Sequence, residues 1–172
     1  MTAIKPLAPI DKNRLAALIE KGKSDPTQVR TVKCRTVTEA RFRQLNFVRT
    51  LPAHVIDEPP QLLGDDTAPN PSEALLAALG SCIAVGIHAN AVAQGISLSS
   101  LELELEGDLN ITSVWGTGHT GPKPVGFTAV RVRARLEGAD RETLSRLLAH
   151  AVAWSPVAGS VRNPVPLDVR LV

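Results

Sequence analysis

A chain of 172 residues with 44% hydrophobic content is long enough to bury one core and short enough to be read as one domain. Its formal charge of +2 is small and its Lys and Arg residues are dispersed, which argues against both a nucleic-acid footprint and a polybasic membrane patch. With two Trp, three Phe and no Tyr, the core is expected to be aliphatic, and a base-stacking platform is not expected.

The first fourteen residues, MTAIKPLAPIDKNR, lack the charged start and apolar run of a signal peptide. Residues 11–22 follow as a short amphipathic helix, with Leu15, Leu18 and Ile19 on one side and Gly22 near its stop; Asp25-Pro26 breaks it. From Val29 to Phe47 the alternating and β-branched residues predict two or three strands, one of which holds Cys34, and Ala53 to Asp57 predict another. Residues 58–71, rich in proline and acidic side chains, read as a loop.

Residues 71–93 form the clearest element. Pro71 and Glu73 suit a first helical turn, strong helix formers follow, and Gly95 suits the stop. The helix is apolar almost all round, so it is expected to be wrapped by a sheet, by a second chain, or by both. Its most apolar stretch, Ala74 to Ile87, falls short of the roughly 20 residues of a membrane span, which favours a buried helix. Residues 98–106 alternate Leu with Glu and residues 128–137 alternate apolar residues with Arg. Two strands are expected there, paired with Glu opposite Arg, with a loop over residues 112–126 between them. Asp140 caps a second helix bearing Leu144, Leu147, Leu148, Ala151 and Val152, which ends near Ser155-Pro156, and Val165 to Val172 are expected to close the chain as a strand. This order of elements predicts an α+β fold, a single domain over residues 1–172 with a helical extension over 1–28 and a core over 29–172.

Two cysteines, Cys34 and Cys82, make no secreted disulfide framework, and the cytoplasm is the expected address. Cys82 is the candidate nucleophile. It lies beyond the first turn of its helix, so a partner that activates it has to come from elsewhere in the fold, and a buried inert cysteine is the competing reading. Glu73 lies about half a turn round and some 13 Å along the same helix, which argues against direct contact with Cys82 and for a role at the helix N-terminus. Cys34 has basic neighbours in Lys33 and Arg35, but as a strand residue it reads as structural. His54, His88, His119 and His150 have no metal-site spacing, and no phosphate loop, dinucleotide fingerprint or nucleophile elbow is present. Neither a metal nor a cofactor is expected.

The run VIDEPPQLLGDDTAPNPSEALLAALGSC, residues 55–82, resembles the OsmC/Ohr pattern: an acidic-proline loop, then P-x-E, then an apolar helix ending in A-x-x-S/A-C. Residues 91–98, 103–109 and 155–171 are similar to the family as well, so the resemblance spans residues 30–172, and the helix over 11–22 is similar to an extension found in one OsmC-like subgroup. The resemblance implies an OsmC-like fold in which two long central helices are buried between curved antiparallel or mixed sheets of an intertwined homodimer. It also implies a chemistry: a peroxidatic cysteine reduces an organic hydroperoxide, a second cysteine resolves the sulfenic acid as a disulfide, and an external dithiol such as a lipoyl group restores both. Cys82 matches the first cysteine and Ser155 stands where the second begins a Cys-Pro motif. Glu73 matches the family's glutamate in a looser spacing, and Arg41, Arg43 and Arg49 lie in the region of the family's activating arginine. The expected functions are a thiol-dependent hydroperoxide reductase resolved by an outside thiol or, alternatively, a dimer that binds a hydrophobic ligand or senses redox state without turnover.

Overall fold

The computed structural model describes residues 7, 8, 10–111, 115, 116 and 125–171. The fold is α+β. In chain order it has α1 (Lys12–Ser24), β1 (Arg35–Thr38), β2 (Gln44–Phe47), β3 (His54–Ile56), a 3-10 turn at Pro60–Leu62, α2 (Pro71–Ala93), β4 (Ser100–Asn110), β5 (Gly126–Glu137), α3 (Arg141–Ala153) and α4 (Pro156–Arg162). The chain gathers into two compact units, Glu20–Ala77 and Met1–Ile19 with Ala78–Val172, whose boundaries fall inside α1 and α2.

In the unit of residues 20–77, β1, β2 and β3 form an antiparallel meander, with Arg35 opposite Phe47 and Leu45 opposite both Val37 and Val55. The Arg35 guanidinium lies 4.4 Å over the Phe47 ring. The acidic-proline loop after β3 is folded on the buried Asp57, whose carboxylate accepts from the Glu58 and Thr67 amides and from the Thr67 hydroxyl. Those three donors, the Thr67 hydroxyl foremost, hold the carboxyl at about 2, below its ordinary 3.8. The Asp66 amide donates back to the Glu58 carbonyl. Gly64 is required here, because a Cβ on it would run into that same carbonyl oxygen.

In the unit of residues 78–172, α2 lays Leu79, Gly80, Ile83, Ile87 and Ala91 into the core, where Leu147 and Ala151 of α3 and Ala158 of α4 meet them. Leu101, Leu103 and Leu105 of β4 cover this cluster together with Val130 and Leu136 of β5. Gly86 brings α2 close to α3, since a Cβ there would come within 3.3 Å of the Ala151 methyl. The β4–β5 register sets Glu102 opposite Arg135, Glu104 opposite Arg133 and Glu106 opposite Arg131, as the alternation predicts. Diagonal bonds add Arg131–Asp108, Arg133–Glu106 and Arg135–Glu104. These exposed pairs are screened by water, so they fix register more than they stabilise.

Four expectations are corrected. Cys34 lies one residue before β1 and is exposed, not within a strand. The helix expected over 11–22 runs Lys12–Ser24, passing through Gly22 and ending, as expected, at the Asp25-Pro26 break. Ser155-Pro156 ends α3 but also begins a further helix, α4, because serine caps it and proline fits its first turn. Residues 165–171 do not form a strand: among the described residues no neighbouring strand supplies a ladder, and Val165, Leu167, Val169 and Leu171 are all exposed. Most of the expected loop over 112–126 lies outside the described residues. By length and composition α2 is long and apolar enough to cross a membrane, yet only one stripe of it is packed within this chain.

Candidate functional site: the Cys82–Ser155 pair

Cys82 sits in the middle of α2, half-buried, beside the core stripe of Leu79, Ile83 and Ile87 but turned from it. Two residues after α3 ends, the chain must turn before α4, and Ser155 takes the N-cap position in extended conformation (φ −77°, ψ 116°). Its hydroxyl oxygen accepts the Ala158 amide at 3.2 Å and its hydroxyl proton is donated to the Cys82 sulfur at 3.1 Å. The two jobs fit together: with one lone pair occupied by the cap, the proton is left to point at the sulfur. Ser155 is one of two buried polar residues among the described ones, and its burial is tolerable because donor and acceptor are both used. Sequence reasoning singled out both residues, and the structure brings them into contact across 73 positions of chain.

Glu73 has a different placement. Its carboxylate accepts the Asn70 amide at 2.8 Å while the Asn70 side chain accepts the Glu73 amide at 2.9 Å, a reciprocal capping box at the start of α2. The spacing Asn-x-x-Glu carried that signal, which the reading of Glu73 as favourable charge only half used. Beside it, burial pushes the Glu58 carboxyl up, and the Glu73 and Asp57 charges push it further. Of the three arginines, Arg41 pairs with Asp65 at 2.5 Å, and Arg43 pairs with Glu39 at 2.8 Å while donating to the Thr67 hydroxyl. Arg49 holds a left-handed backbone (φ 54°) and makes no ion pair among the described residues. No group of His, Cys, Asp or Glu among the described residues could hold a metal ion. Both cysteines are free thiols, and His119 lies outside the described residues.

What Cys82 offers is a thiol within reach of solvent, flanked by a hydroxyl already committed as donor, in an aliphatic wall. Such a group can act as a nucleophile toward an electrophilic oxygen or sulfur once ionised. The hydroxyl beside it cannot form a disulfide.

The family model for OsmC-like proteins matches residues 64–170, more than half of the chain and inclusive of Glu73, Cys82 and Ser155. The chain belongs to the OsmC-like family. No curated protein matches it. Solved structures share the fold at low identity. An organic hydroperoxide resistance protein OsmC from Legionella pneumophila is 22% identical, with TM-score 0.58, over 79% of this chain and 92% of that one. An OsmC-like protein from Mycoplasma pneumoniae is 14% identical with TM-score 0.65, over 80% and 91%. An organic hydroperoxide resistance protein from Elizabethkingia anophelis, with thiocyanate bound, is 17% identical with TM-score 0.60, over 80% and 92%.

Proposed function

We propose that the protein is a hydroperoxide reductase that works with one cysteine, Cys82, and is resolved by an external thiol. The observation that carries this reading is the Ser155–Cys82 hydrogen bond: the position where the resemblance puts the resolving cysteine is occupied, in contact, by a group that cannot resolve. The Cys82 thiolate attacks the outer oxygen of an organic hydroperoxide; the S–O bond forms, the O–O bond breaks, and the alkoxide leaves and is protonated to the alcohol. The sulfur is now a sulfenic acid. An outside thiolate attacks that sulfur and displaces hydroxide, which takes up a proton to become water, leaving a mixed disulfide; a second thiol then returns Cys82 to the thiol as the outside thiols form their own disulfide. A dithiol of the lipoyl kind supplies both thiols from one molecule. Ser155 touches the reacting sulfur and holds it in place, while Glu73 sets the start of the helix that carries it.

The substrate side is expected to be apolar, because the surroundings of Cys82 are aliphatic. A homodimer supplies the rest of that wall. Within the unit of residues 78–172, Val85 is 69% exposed on α2, three residues from the thiol, and the alternating Val165, Leu167, Val169 and Leu171 have no strand to pair with among the described residues. Both are apolar surfaces that a second copy would cover. Free thiols at Cys34 and Cys82 suit a reducing, cytoplasmic compartment.

Consumption of cumene hydroperoxide tests the reading, with wild type and Cys82→Ser compared under a lipoyl dithiol and then a monothiol. Turnover that vanishes in Cys82→Ser is expected. Absence of turnover with both reductants, the thiol remaining alkylatable, would support instead the binding or sensing reading of the same fold.

A further inference from the structure

A cavity of about 330 Å³ opens at the C-terminal end of α2, away from the Cys82–Ser155 pair. It lies within one compact unit, between the residues that lead into α1 and the turn joining α2 to β4. Its walls are aliphatic, from Ile10, Val92, Ile96 and Leu98, and two nitrogen-bearing side chains, Lys12 and His88, reach it. His88 is half-buried, six residues beyond Cys82 on α2 and so about 9 Å further along the axis. Among the described residues its imidazole has no hydrogen-bond partner, and the Lys12 ammonium has no ion pair. The acid beside Lys12 in sequence, Asp11, is turned to cap α1 through the Asn13 and Arg14 amides. A half-buried polar group ordinarily finds a partner, so the unpartnered His88 imidazole at an apolar cavity marks a place for an acceptor, and the exposed Lys12 ammonium at the cavity's edge supplies the charge that would draw an anion there.

The geometry points to a site for a medium-chain aliphatic carboxylate, its head between Lys12 and His88 and its tail along Val92, Ile96 and Leu98. One cation calls for a single negative charge, and a carboxylate has two oxygens to share between an ammonium and a ring N–H. At roughly 30 Å³ for each non-hydrogen atom, taking liquid water as the gauge, the cavity holds about ten such atoms, the size of octanoate. The site is independent of the thiol chemistry.

Calorimetric titration of the full chain with octanoate, 1-octanol and butyrate tests it. Octanoate is expected to bind, with 1-octanol and butyrate each at least about tenfold weaker for want of the charge or of the tail. Lys12→Glu, an exposed and fold-neutral change, and His88→Leu are each expected to weaken octanoate about tenfold, whereas Cys82→Ser leaves it unchanged. Chemical-shift changes of the wild-type His88 ring on adding octanoate give a readout that needs no variant. The proposal is overturned if octanoate does not bind the wild type at millimolar concentration. It is also overturned if octanol binds equally well, if Lys12→Glu binds as wild type, or if the His88 ring does not respond.

Discussion

Replacing Ser155 by cysteine restores a sulfur at a point where the hydroxyl oxygen stands 3.1 Å from the Cys82 sulfur. A disulfide needs the two sulfurs about 2.05 Å apart, a closure of about 1 Å that side-chain rotation and the longer C–S bond supply. The bond would tie positions 73 residues apart, and in the chain-entropy account a loop of that length stabilises by about 4 kcal/mol. Against this, the hydroxyl that caps α4 through the Ala158 amide is lost, costing about 1 kcal/mol. The reduced variant should therefore melt roughly 3 °C below wild type, and the oxidised variant roughly 10 °C above its own reduced form, at about 2–4 °C per kcal/mol for a chain of this size. Scanning calorimetry with and without a reductant measures both, and intact mass reports the loss of two hydrogens. Free thiols persisting at both positions 82 and 155 of Ser155→Cys under mild oxidant, located by peptide mapping because Cys34 is a third thiol, would refute the Ser155–Cys82 contact.

Gly64→Ala forces a methyl against the Glu58 carbonyl and should destabilise the loop of residues 57–70 by about 2–3 kcal/mol, read by thermal melting. Asn70→Ala removes half of the capping box at the start of α2 and should cost about 1 kcal/mol in denaturant titration. The Asp57 carboxyl, held at about 2 by the Thr67 and Glu58 donors, has a folded pKa below its unfolded value of 3.8. Its stabilisation is therefore complete above about pH 4 and is lost as pH falls toward 2; Asp57→Asn should be less stable at neutral pH and should lack that acid-side decline in melting temperature. Truncation after Asn163 removes the exposed, alternating C-terminal residues and should shift a dimer toward monomer in sedimentation experiments, whereas an unchanged sedimentation coefficient per chain would separate that segment from self-association.

Where local rules and tertiary packing agree, the sequence was readable, for α2 to the residue: proline at the first turn and Gly95 beyond the last bound it at Pro71 and Ala93. The Leu/Glu and Val/Arg alternations placed β4 and β5 and their facing charges, although the strands run Ser100–Asn110 and Gly126–Glu137 rather than 98–106 and 128–137, because ladder pairing carries them past the alternating stretch. The helix α4 escaped because seven residues are too few to show a period, although Ser155-Pro156 was a start signal as well as a stop. The C-terminal alternation of Val165 to Leu171 is real, but a strand exists only by its neighbour, and this chain provides none among the described residues. The site was half legible. Cys82 and Ser155 were each marked by the family pattern, yet only folding shows that they touch, and the capping box that occupies Glu73 lay in plain view at Asn70. The cavity at Lys12 and His88 left no mark in the sequence, because its residues come from segments some eighty positions apart with no shared motif.

The most direct test of the central claim is the chemical state of Cys82 after one equivalent of organic hydroperoxide, by intact mass and peptide mapping, before and after adding a monothiol. A single-cysteine reductase predicts the gain of one oxygen on Cys82 that a sulfenic-acid trap captures, and then a mixed disulfide at Cys82 once the thiol is added. An unoxidised Cys82 thiol with the hydroperoxide still intact would contradict it.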